Sequence, residues 1–297
     1  MFSFKRFLAR FLPPPARTFH TKTQEQTNMI TKQTDMIKNL ERKLLNLDKR
    51  LSVSLMTLES KLDDIYYMKG KKRICPACKN EVNVFLPGKT TKNEICPHCR
   101  AYKRHRALWL YLENQTNLFE INEQSGTVKI LHFAPEKVFY EKFSTMSNVD
   151  YYPVDFNPNF VGIRDVIDIQ EIKYPDEMFD IIICSHLLEH IPDDRKAMKE
   201  LRRVLKKGGT AYISCPVYQS LNVTFENPEY STPELRLRNY GQIDHVRKYG
   251  KDFPQKLLDA GFDVEILEYR KDFTEVELDK YGLNKNGIIY KCTISNL

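Results

Sequence analysis

Alternating strand and helix patterns over residues 128–295 constrain the fold more than any other feature of this sequence. Apolar strand candidates alternate with amphipathic helical stretches, an order typical of a doubly wound, mainly parallel α/β sheet. The last two strand candidates follow the last helix directly, so we expect a closing hairpin with one antiparallel strand. The strand candidates are 128–134, 149–156, 165–169, 179–186, 209–217, 262–269 and 287–295, and the helices are 135–146, 193–206 and 253–260.

Four of the seven cysteines are grouped as two Cys-x-x-Cys pairs separated by 17 residues. This spacing predicts a structural zinc site, because four thiolates fill a tetrahedral coordination shell and leave no position for water. Redox chemistry at either pair is the alternative. The ligands would be Cys75, Cys78, Cys96 and Cys99. The other three cysteines are scattered through apolar stretches, which indicates buried thiols and a reducing, cytoplasmic location.

Charge is divided unevenly along the chain. Residues 1–106 carry 23 Lys and Arg against 9 acidic residues, whereas residues 107–297 carry 23 against 30. The first third is therefore expected to face an anionic partner. Within it, residues 69–106 hold eleven basic and two acidic residues, and basic zinc modules often contact phosphates. The segment has few aromatic residues for base stacking, so single-stranded RNA binding is not favoured.

The N-terminal segment combines an apolar and a basic face. Within residues 1–12 the apolar positions follow helical spacing and the basic residues lie opposite, before three consecutive prolines. This pattern predicts a helix that lies in a membrane interface, here the inner face of the membrane. A mitochondrial transit peptide and a disordered or partner-binding end are the alternatives.

Residues 27–68 carry a heptad repeat. Its first core column is apolar at every step from Ile30 to Ile65, while only half of the second column is apolar. Six such heptads without Gly or Pro predict a parallel coiled coil and a homo-oligomer. A single amphipathic helix packed on the rest of the chain is the alternative reading.

Two sequence stretches carry a resemblance to a known family. The segment DEMFDIIICSHLLEHIPD (residues 176–193), followed by LRRVLKKGG (201–209), resembles strand four, the next helix and strand five of the class I S-adenosylmethionine-dependent methyltransferases. Gly261-Phe262 extends the resemblance more loosely. The cysteine segment together with LHFAPE (131–136) is similar to a subgroup often found among bacterial surface-polysaccharide enzymes. The resemblance implies a seven-stranded Rossmann-like sheet and S-adenosylmethionine as cofactor.

The resemblance also implies a cofactor site. In the first loop His132 stands where the family has an acid, and Ala134 and Glu136 stand where it has glycines. Ala134 is the smallest substitute for glycine, and Glu136 is expected to receive the ammonium group of the cofactor. Asp155 matches the acid that bonds both ribose hydroxyls. The remaining implied contacts are Asp168 and Ile169 at the adenine, and Cys184, Ser185 and His186 at the methionine end and the methyl acceptor.

The acceptor site is expected in the insertion formed by residues 218–251. His245, Arg247 and Tyr249 alternate and would share one face of an extended segment. His245 is the expected general base, with His186 as a second catalytic candidate. Arg236 and Arg247 are expected to bind an anionic group of the acceptor, with Tyr249 beside them. His186 and His190 are four residues apart, but we expect His190 to pack or cap a helix rather than bind metal.

These observations predict four parts: a basic N-terminal segment (1–26), a coiled coil (27–68), a four-cysteine zinc module (69–106) and a class I methyltransferase domain (107–297). The leading interpretation is a methyltransferase that modifies a hydroxyl of a sugar or lipid-linked glycan intermediate. The acidic second part makes nucleic acid a less favoured partner. The alternatives are a ribosomal RNA methyltransferase and an inactive, methyltransferase-like coiled-coil scaffold.

Overall fold

The computed structural model describes residues 16–68, 70, 72–88, 92–116, 118–120 and 126–295. The chain divides into two compact units, with the boundary between Ile65 and Tyr66. In the described part of the chain, no helix is long and apolar enough to cross a membrane. The predicted membrane-interface helix of residues 1–12 lies outside the described residues.

The first unit contains one long helix, α1, which runs from Ala16 to Asp63 over 48 residues. A π-helical turn, Asp64–Met68, follows and interrupts the helical register near the end of the predicted heptads. The heptad side chains that precede this turn are exposed: Leu44 is 72% and Leu51 60% exposed. The predicted helix is therefore present and leaves an apolar stripe on its surface.

A seven-stranded sheet organises the second unit. Its strand order is β5-β4-β3-β6-β7-β9-β8, and β9 alone runs antiparallel to its neighbours β7 and β8. The predicted closing hairpin is thus present as β8 and β9. A separate two-stranded sheet, β1 with β2, belongs to the cysteine segment. The strands are β1 Arg73–Ile74, β2 Glu81–Val82, β3 Val128–Phe133, β4 Val149–Asp155, β5 Asp165–Val166, β6 Phe179–Ser185, β7 Leu205–Ser214, β8 Asp263–Glu268 and β9 Ile288–Thr293.

Two strands differ from their predicted bounds by more than two residues at one end or both. β7 begins at Leu205, four residues earlier than expected, because the Lys-Lys-Gly-Gly segment pairs with β6 through a register shift between Phe179 and Ile181. Gly208 adopts a φ of 73° inside this bulge, a conformation that glycine tolerates best. β5 is shorter than predicted, since the chain turns away after Val166.

Helices lie in the connections between the strands. The three helices that the sequence predicted are present as α3 Lys137–Phe143, α4 Asp194–Val204 and α6 Phe253–Asp259. The others are α2 Lys103–Gln115, α5 Pro233–Tyr240, α7 Tyr269–Asp272 and α8 Glu275–Lys280. Helix α5 is not among the predicted helices, although both of its ends carry local sequence signals. Thr232 caps its start, and Gly241 ends it with a φ of 89°.

The cysteine segment packs on the sheet rather than standing apart from it. One hydrophobic cluster contains Cys75, Phe85 and Trp109 together with Phe139 of α3 and Ile183 of β6. Helix α2 continues from the cysteine segment across the predicted boundary at residues 106 and 107. Residues 66–297 therefore form one compact unit that contains both the cysteine segment and the sheet.

Candidate active site

A cavity of about 390 Å³ lies at the carboxyl ends of β3 and β4, where ligands bind in doubly wound sheets. Four of the predicted cofactor contacts line it, and Leu187, His190, Ile191 and Pro192 close it on the side of β6. The structure therefore brings together side chains that are far apart in sequence. The predicted contacts among the lining residues are Ala134, Asp155, Asp168 and Ile169.

The two acids of this cavity follow strand ends and cap their own loops. One carboxylate oxygen of Asp155 accepts the N–H of Asn157 at 2.7 Å, and one of Asp168 accepts the N–H of Gln170 at 2.8 Å. Such local bonds fix the carboxylates in place. Each acid is half-buried, so it can meet a ligand while staying hydrated when the ligand is absent.

In the loop after β3, Ala134 keeps the backbone conformation of the glycine that the family has at this position. Ala134 has a φ of 47°, in the left-handed region that glycine ordinarily occupies. Residues other than glycine are held there only when their surroundings enforce it. The loop thus bends as a glycine loop would, and Ala134 adds one methyl group to the cavity wall.

Buried hydrogen bonds hold this loop. The fully buried ring of His132 lies 2.8 Å from the hydroxyl of Tyr151 and 2.8 Å from the carboxylate of Glu136, which is also 3.1 Å from His105. Burial by itself would raise the pKa of Glu136, but the two histidines outweigh it and hold that pKa well below its usual range. Burial lowers the pKa of His105. The carboxylate expected to meet the cofactor's ammonium is therefore already bound to the protein.

The end of β6 presents His186 at the surface. Cys184 is fully buried in the core, and burial raises the pKa of its thiol. The hydroxyl of Ser185 accepts a hydrogen bond from Ser214 at 3.3 Å. His186 has a φ of 52°, its ring is 32% exposed, and its Nδ1 lies 3.4 Å from the carboxylate of Glu189. Of the three predicted residues at this strand end, His186 is the one whose side chain lines a cavity.

A second cavity, of about 290 Å³, is lined in part by His186. The cysteine segment and the start of α2 contribute charged residues to it, and the loop before β9 contributes two asparagines. The Nε atom of Arg104 is buried there without a hydrogen-bond partner among the described residues. The sequence did not reveal this cavity, because its walls come from four distant segments. Its polar lining includes Glu94, Lys103, Arg104, Gln219, Asn284 and Asn286.

The insertion after β7 folds back onto the loop that follows β6. His245, Arg247 and Tyr249 are all buried, so they share one face as predicted. That face points into the protein: Arg247 donates to the carbonyls of Leu188, Ile191 and Pro192 and to Glu226. The side chains of Arg247 and Tyr249 position this loop, and neither residue lines either cavity.

Two further predicted residues have different surroundings. Arg236, on α5, donates from its Nε to the carbonyl of Tyr230 at 3.3 Å and lines neither of the two cavities. His245 is 3% exposed, and its ring meets that of His190 edge-on with centroids 4.6 Å apart. Burial and the neighbouring His190 lower the pKa of His245.

The four predicted zinc ligands meet in space. The Sγ atoms of Cys75 and Cys99 are 3.6 Å apart, those of Cys78 and Cys96 are 3.8 Å apart, and all four lie within 4.8 Å of one another. Zn–S bonds of about 2.3 Å in a tetrahedron require sulfur atoms about 3.8 Å apart. The donor set and its spacing therefore fit a zinc ion with four thiolate ligands.

Comparison with known proteins is consistent with this architecture. Residues 141–213 match the family model described as "Methyltransferase domain". Phosphoethanolamine N-methyltransferase 1 of Zea mays is 34% identical over 129 residues, which cover 42% of this chain and 24% of that protein. Demethylmenaquinone methyltransferase of Alkalihalophilus pseudofirmus is 37% identical over 130 residues, covering 38% of this chain and 54% of that protein.

A solved structure of an S-adenosylmethionine-dependent methyltransferase from Mesorhizobium loti is also similar. It is 14% identical, covers 63% of this chain and 96% of that chain, and has a TM-score of 0.42. The chain spans between a quarter and about half of the length of the two curated relatives above. The family match places residues 141–213 in a methyltransferase domain, and the seven-stranded sheet is the one that the resemblance to class I S-adenosylmethionine-dependent methyltransferases implies.

Proposed function

We propose that this protein transfers a methyl group from S-adenosylmethionine to a hydroxyl of a sugar or a lipid-linked glycan intermediate. The observation that carries the proposal is that His186, at the end of β6, lines a polar cavity, while Asp155 and Asp168 line a separate cavity at the carboxyl edge of the same sheet. The first cavity would hold the donor, with Asp155 at the ribose and Asp168 and Ile169 at the adenine. The second would hold the acceptor.

His186 is the base that we propose for this reaction. The acceptor oxygen attacks the methyl carbon, the bond from that carbon to the sulfonium sulfur breaks, and the sulfur becomes a neutral thioether. The hydroxyl proton would pass to His186, whose ring is partly exposed and lies 3.4 Å from the carboxylate of Glu189. That carboxylate would stabilise the imidazolium ion. His245 was the first candidate, but its burial leaves it no direct contact with an acceptor.

The second cavity suits an acceptor that is rich in hydroxyls and carries a negative group. Amide side chains of Gln219, Asn284 and Asn286 can both donate to and accept from hydroxyls. Arg104 adds a guanidinium to the lining, and the guanidinium group is suited to bind a phosphate. This lining supports a sugar phosphate or a lipid-linked sugar better than an uncharged acceptor.

The matched relatives are named for other acceptors, and the charge distribution weighs against one of these, RNA. One matched relative is named for an amine acceptor and another for a quinone, so an amine remains a second candidate. For RNA, the basic segment would have to face outward. Two of its charges are paired with acids of the same unit, Arg73 with Asp279 and Lys79 with Glu113, which reduces the positive charge available to an RNA.

The test begins with calorimetry of the full chain against S-adenosylhomocysteine. No binding would support the inactive-scaffold alternative. Radiolabelled S-adenosylmethionine is then supplied with sugar phosphates, phosphoethanolamine or total RNA, and the labelled product is identified. We expect label in the sugar phosphate. Arg104→Met should raise KM for that acceptor at least about tenfold while Arg100→Met, an exposed neighbour, leaves it unchanged. Label in RNA or the amine would overturn the acceptor assignment.

We also propose that the four cysteines hold one structural zinc ion and that α1 joins copies of this chain. The sulfur spacing supports the first part. The exposed apolar stripe of α1 supports the second, because such a stripe on a 48-residue helix is stable in water mainly when another helix covers it. The further proposal that residues 1–12 contact an anionic membrane surface is tested by binding of the full chain to anionic and neutral vesicles.

A further inference from the structure

Three side chains that can bind metal meet beside the candidate active site. Ligand atoms of Glu189, His190 and His245 lie within 4.8 Å of one another. Glu189 and His190 belong to a short 3-10 turn directly after β6, and His245 comes from the insertion between β7 and α6. The fold thus brings one carboxylate and two imidazoles together from segments more than 50 residues apart.

Two atoms in this cluster are buried without partners. Glu189 is 1% exposed and His245 is 3% exposed. Among the described residues, Oε2 of Glu189 and Nδ1 of His245 have no hydrogen-bond partner. An unsatisfied buried polar atom destabilises the folded chain, and more so when it carries charge. A cation bound by these atoms would remove that penalty.

The segments that carry the cluster are held rigidly. The N–H of Val246 donates to the carbonyl of Glu189 at 3.0 Å. Tyr249 donates to Asp194 at 2.9 Å, and Arg247 binds three carbonyls of the turn and the residues that follow it. Metal sites depend on such supporting bonds to orient their ligands. A metal site would explain why His245, Arg247 and Tyr249 are buried, which their predicted role in acceptor binding does not explain.

We propose that Glu189, His190 and His245 bind one divalent transition-metal cation, such as Mn²⁺, Fe²⁺, Co²⁺ or Zn²⁺. Two imidazoles and one carboxylate form a donor set that these ions accept, and three protein ligands leave coordination positions open. This site is separate from the cysteine site, whose four thiolates favour zinc. The inference goes beyond the proposed methyl transfer, which requires no metal.

The position of the cluster indicates what the cation contacts. His190 lines the first cavity, and His186, which lines the second, lies 3.4 Å from Glu189. The cluster therefore borders the first cavity through His190, and it meets the second only through the contact of Glu189 with His186. Water or an oxygen ligand that enters the first cavity is suited to the open positions, because oxygens are ordinary ligands of such cations.

The test uses Mn²⁺, which binds thiolates poorly, and the full chain after EDTA treatment and measurement of its zinc content. Electron paramagnetic resonance of free Mn²⁺ counts the ions bound, and the spin echo of bound Mn²⁺ reports coordinated imidazole nitrogen. We expect one Mn²⁺ per chain with nitrogen coupling. Glu189→Gln and His190→Gln should each weaken binding at least about tenfold, whereas Glu171→Gln, an exposed acid away from the cluster, should not.

The far-ultraviolet circular dichroism spectrum and the urea unfolding curve report whether each variant is still folded; cofactor affinity is not used for this, because His190 lines the cavity assigned to the cofactor. His190→Gln is the more informative substitution, because the His190 side chain is 29% exposed and its replacement disturbs the core least. Absence of stoichiometric Mn²⁺ binding to the wild-type chain would overturn the proposal. So would equal Mn²⁺ affinity in wild type and in a Glu189→Gln or His190→Gln variant that remains folded. A protein that binds Mn²⁺ but transfers no methyl group would contradict the proposed function alone.

Discussion

The guanidinium of Arg106 donates a hydrogen bond to the carbonyl of Gly282 at 2.8 Å, across 176 residues of sequence. Arg106 is fully buried and donates to four further carbonyls, those of Asn93, Glu94, Ala101 and Tyr281. Its plane also stacks on Phe85 at 3.7 Å. Burial lowers the pKa of Arg106 to about 10, so the side chain stays charged at neutral pH. This one residue joins the cysteine segment to the turn after α8.

Arg106→Met should strongly destabilise residues 66–297. The methionine fills similar space but leaves five carbonyls without their donor, and each unsatisfied buried group costs about 1–3 kcal/mol. We expect a loss of about 3 kcal/mol or more in urea unfolding. Lys72→Met, at an exposed basic position of the same segment, should change stability by less than about 0.5 kcal/mol. Similar unfolding curves for both variants would contradict this role.

Gly282→Ala should lower the stability of the protein, because the backbone at Gly282 lies too close to Phe85 to leave room for a side chain. A Cβ at Gly282 would lie 2.4 Å from the ring of Phe85, and the residue has a φ of 59°. Gly241 has a φ of 89° but no atom within 4 Å of the added carbon. Gly241→Ala therefore measures backbone strain alone, about 1–2 kcal/mol. Thermal unfolding should place Gly282→Ala clearly below Gly241→Ala, and the opposite order would rule out the steric argument.

Cys75→Ser or Cys96→Ser should release zinc and lower both stability and solubility, because structural zinc contributes to the free energy of folding. Elemental analysis should find one zinc per chain in the wild type and much less in either variant. Cys292→Ala provides the control, since this buried cysteine lies in β9 and its loss should reduce stability without loss of zinc. A wild-type protein without zinc would refute the assignment.

Asp155→Ala should weaken binding of S-adenosylhomocysteine at least about tenfold. If Asp155 accepts from both ribose hydroxyls, the variant loses charge-assisted hydrogen bonds worth about 1.5–3 kcal/mol each, and tenfold corresponds to about 1.4 kcal/mol. Calorimetry measures this before any acceptor is known. Glu234→Ala, at an exposed acid on α5, should bind like the wild type. Equal affinity in the Asp155 variant would refute the ribose assignment.

Leu44→Asp combined with Leu51→Asp should reduce the particle mass measured by light scattering. Both leucines lie in the apolar stripe of α1, and buried charge would disrupt a coiled coil. Asn39→Asp with Asn46→Asp adds the same charge to exposed polar positions of the same helix and should leave the mass unchanged. A monomeric wild-type protein would overturn the self-association proposal.

The sequence by itself determined those elements of the chain that carry a local sequence signal. Strand positions, the sheet's alternation with helices, the long helix and the cysteine pairs all follow from periodicity and spacing within short windows. The family resemblance implied Asp155 and Asp168 as site residues, and both line the cavity at the carboxyl edge of the sheet. Thr232 and Gly241 carried the local signals for α5 as well.

Only the tertiary structure decided which polar side chains face a ligand and which face the protein. Arg247 and His245 carry the same local pattern as ligand-binding residues, yet packing against the turn after β6 buries both. Glu136 meets His105, which lies on a helix that the sequence did not predict. Contacts between segments that are distant in sequence, such as Arg247 and Leu188 at 59 residues apart, set these outcomes. Their donors and acceptors are chosen by the folded chain as a whole, so short-range periodicity cannot show them.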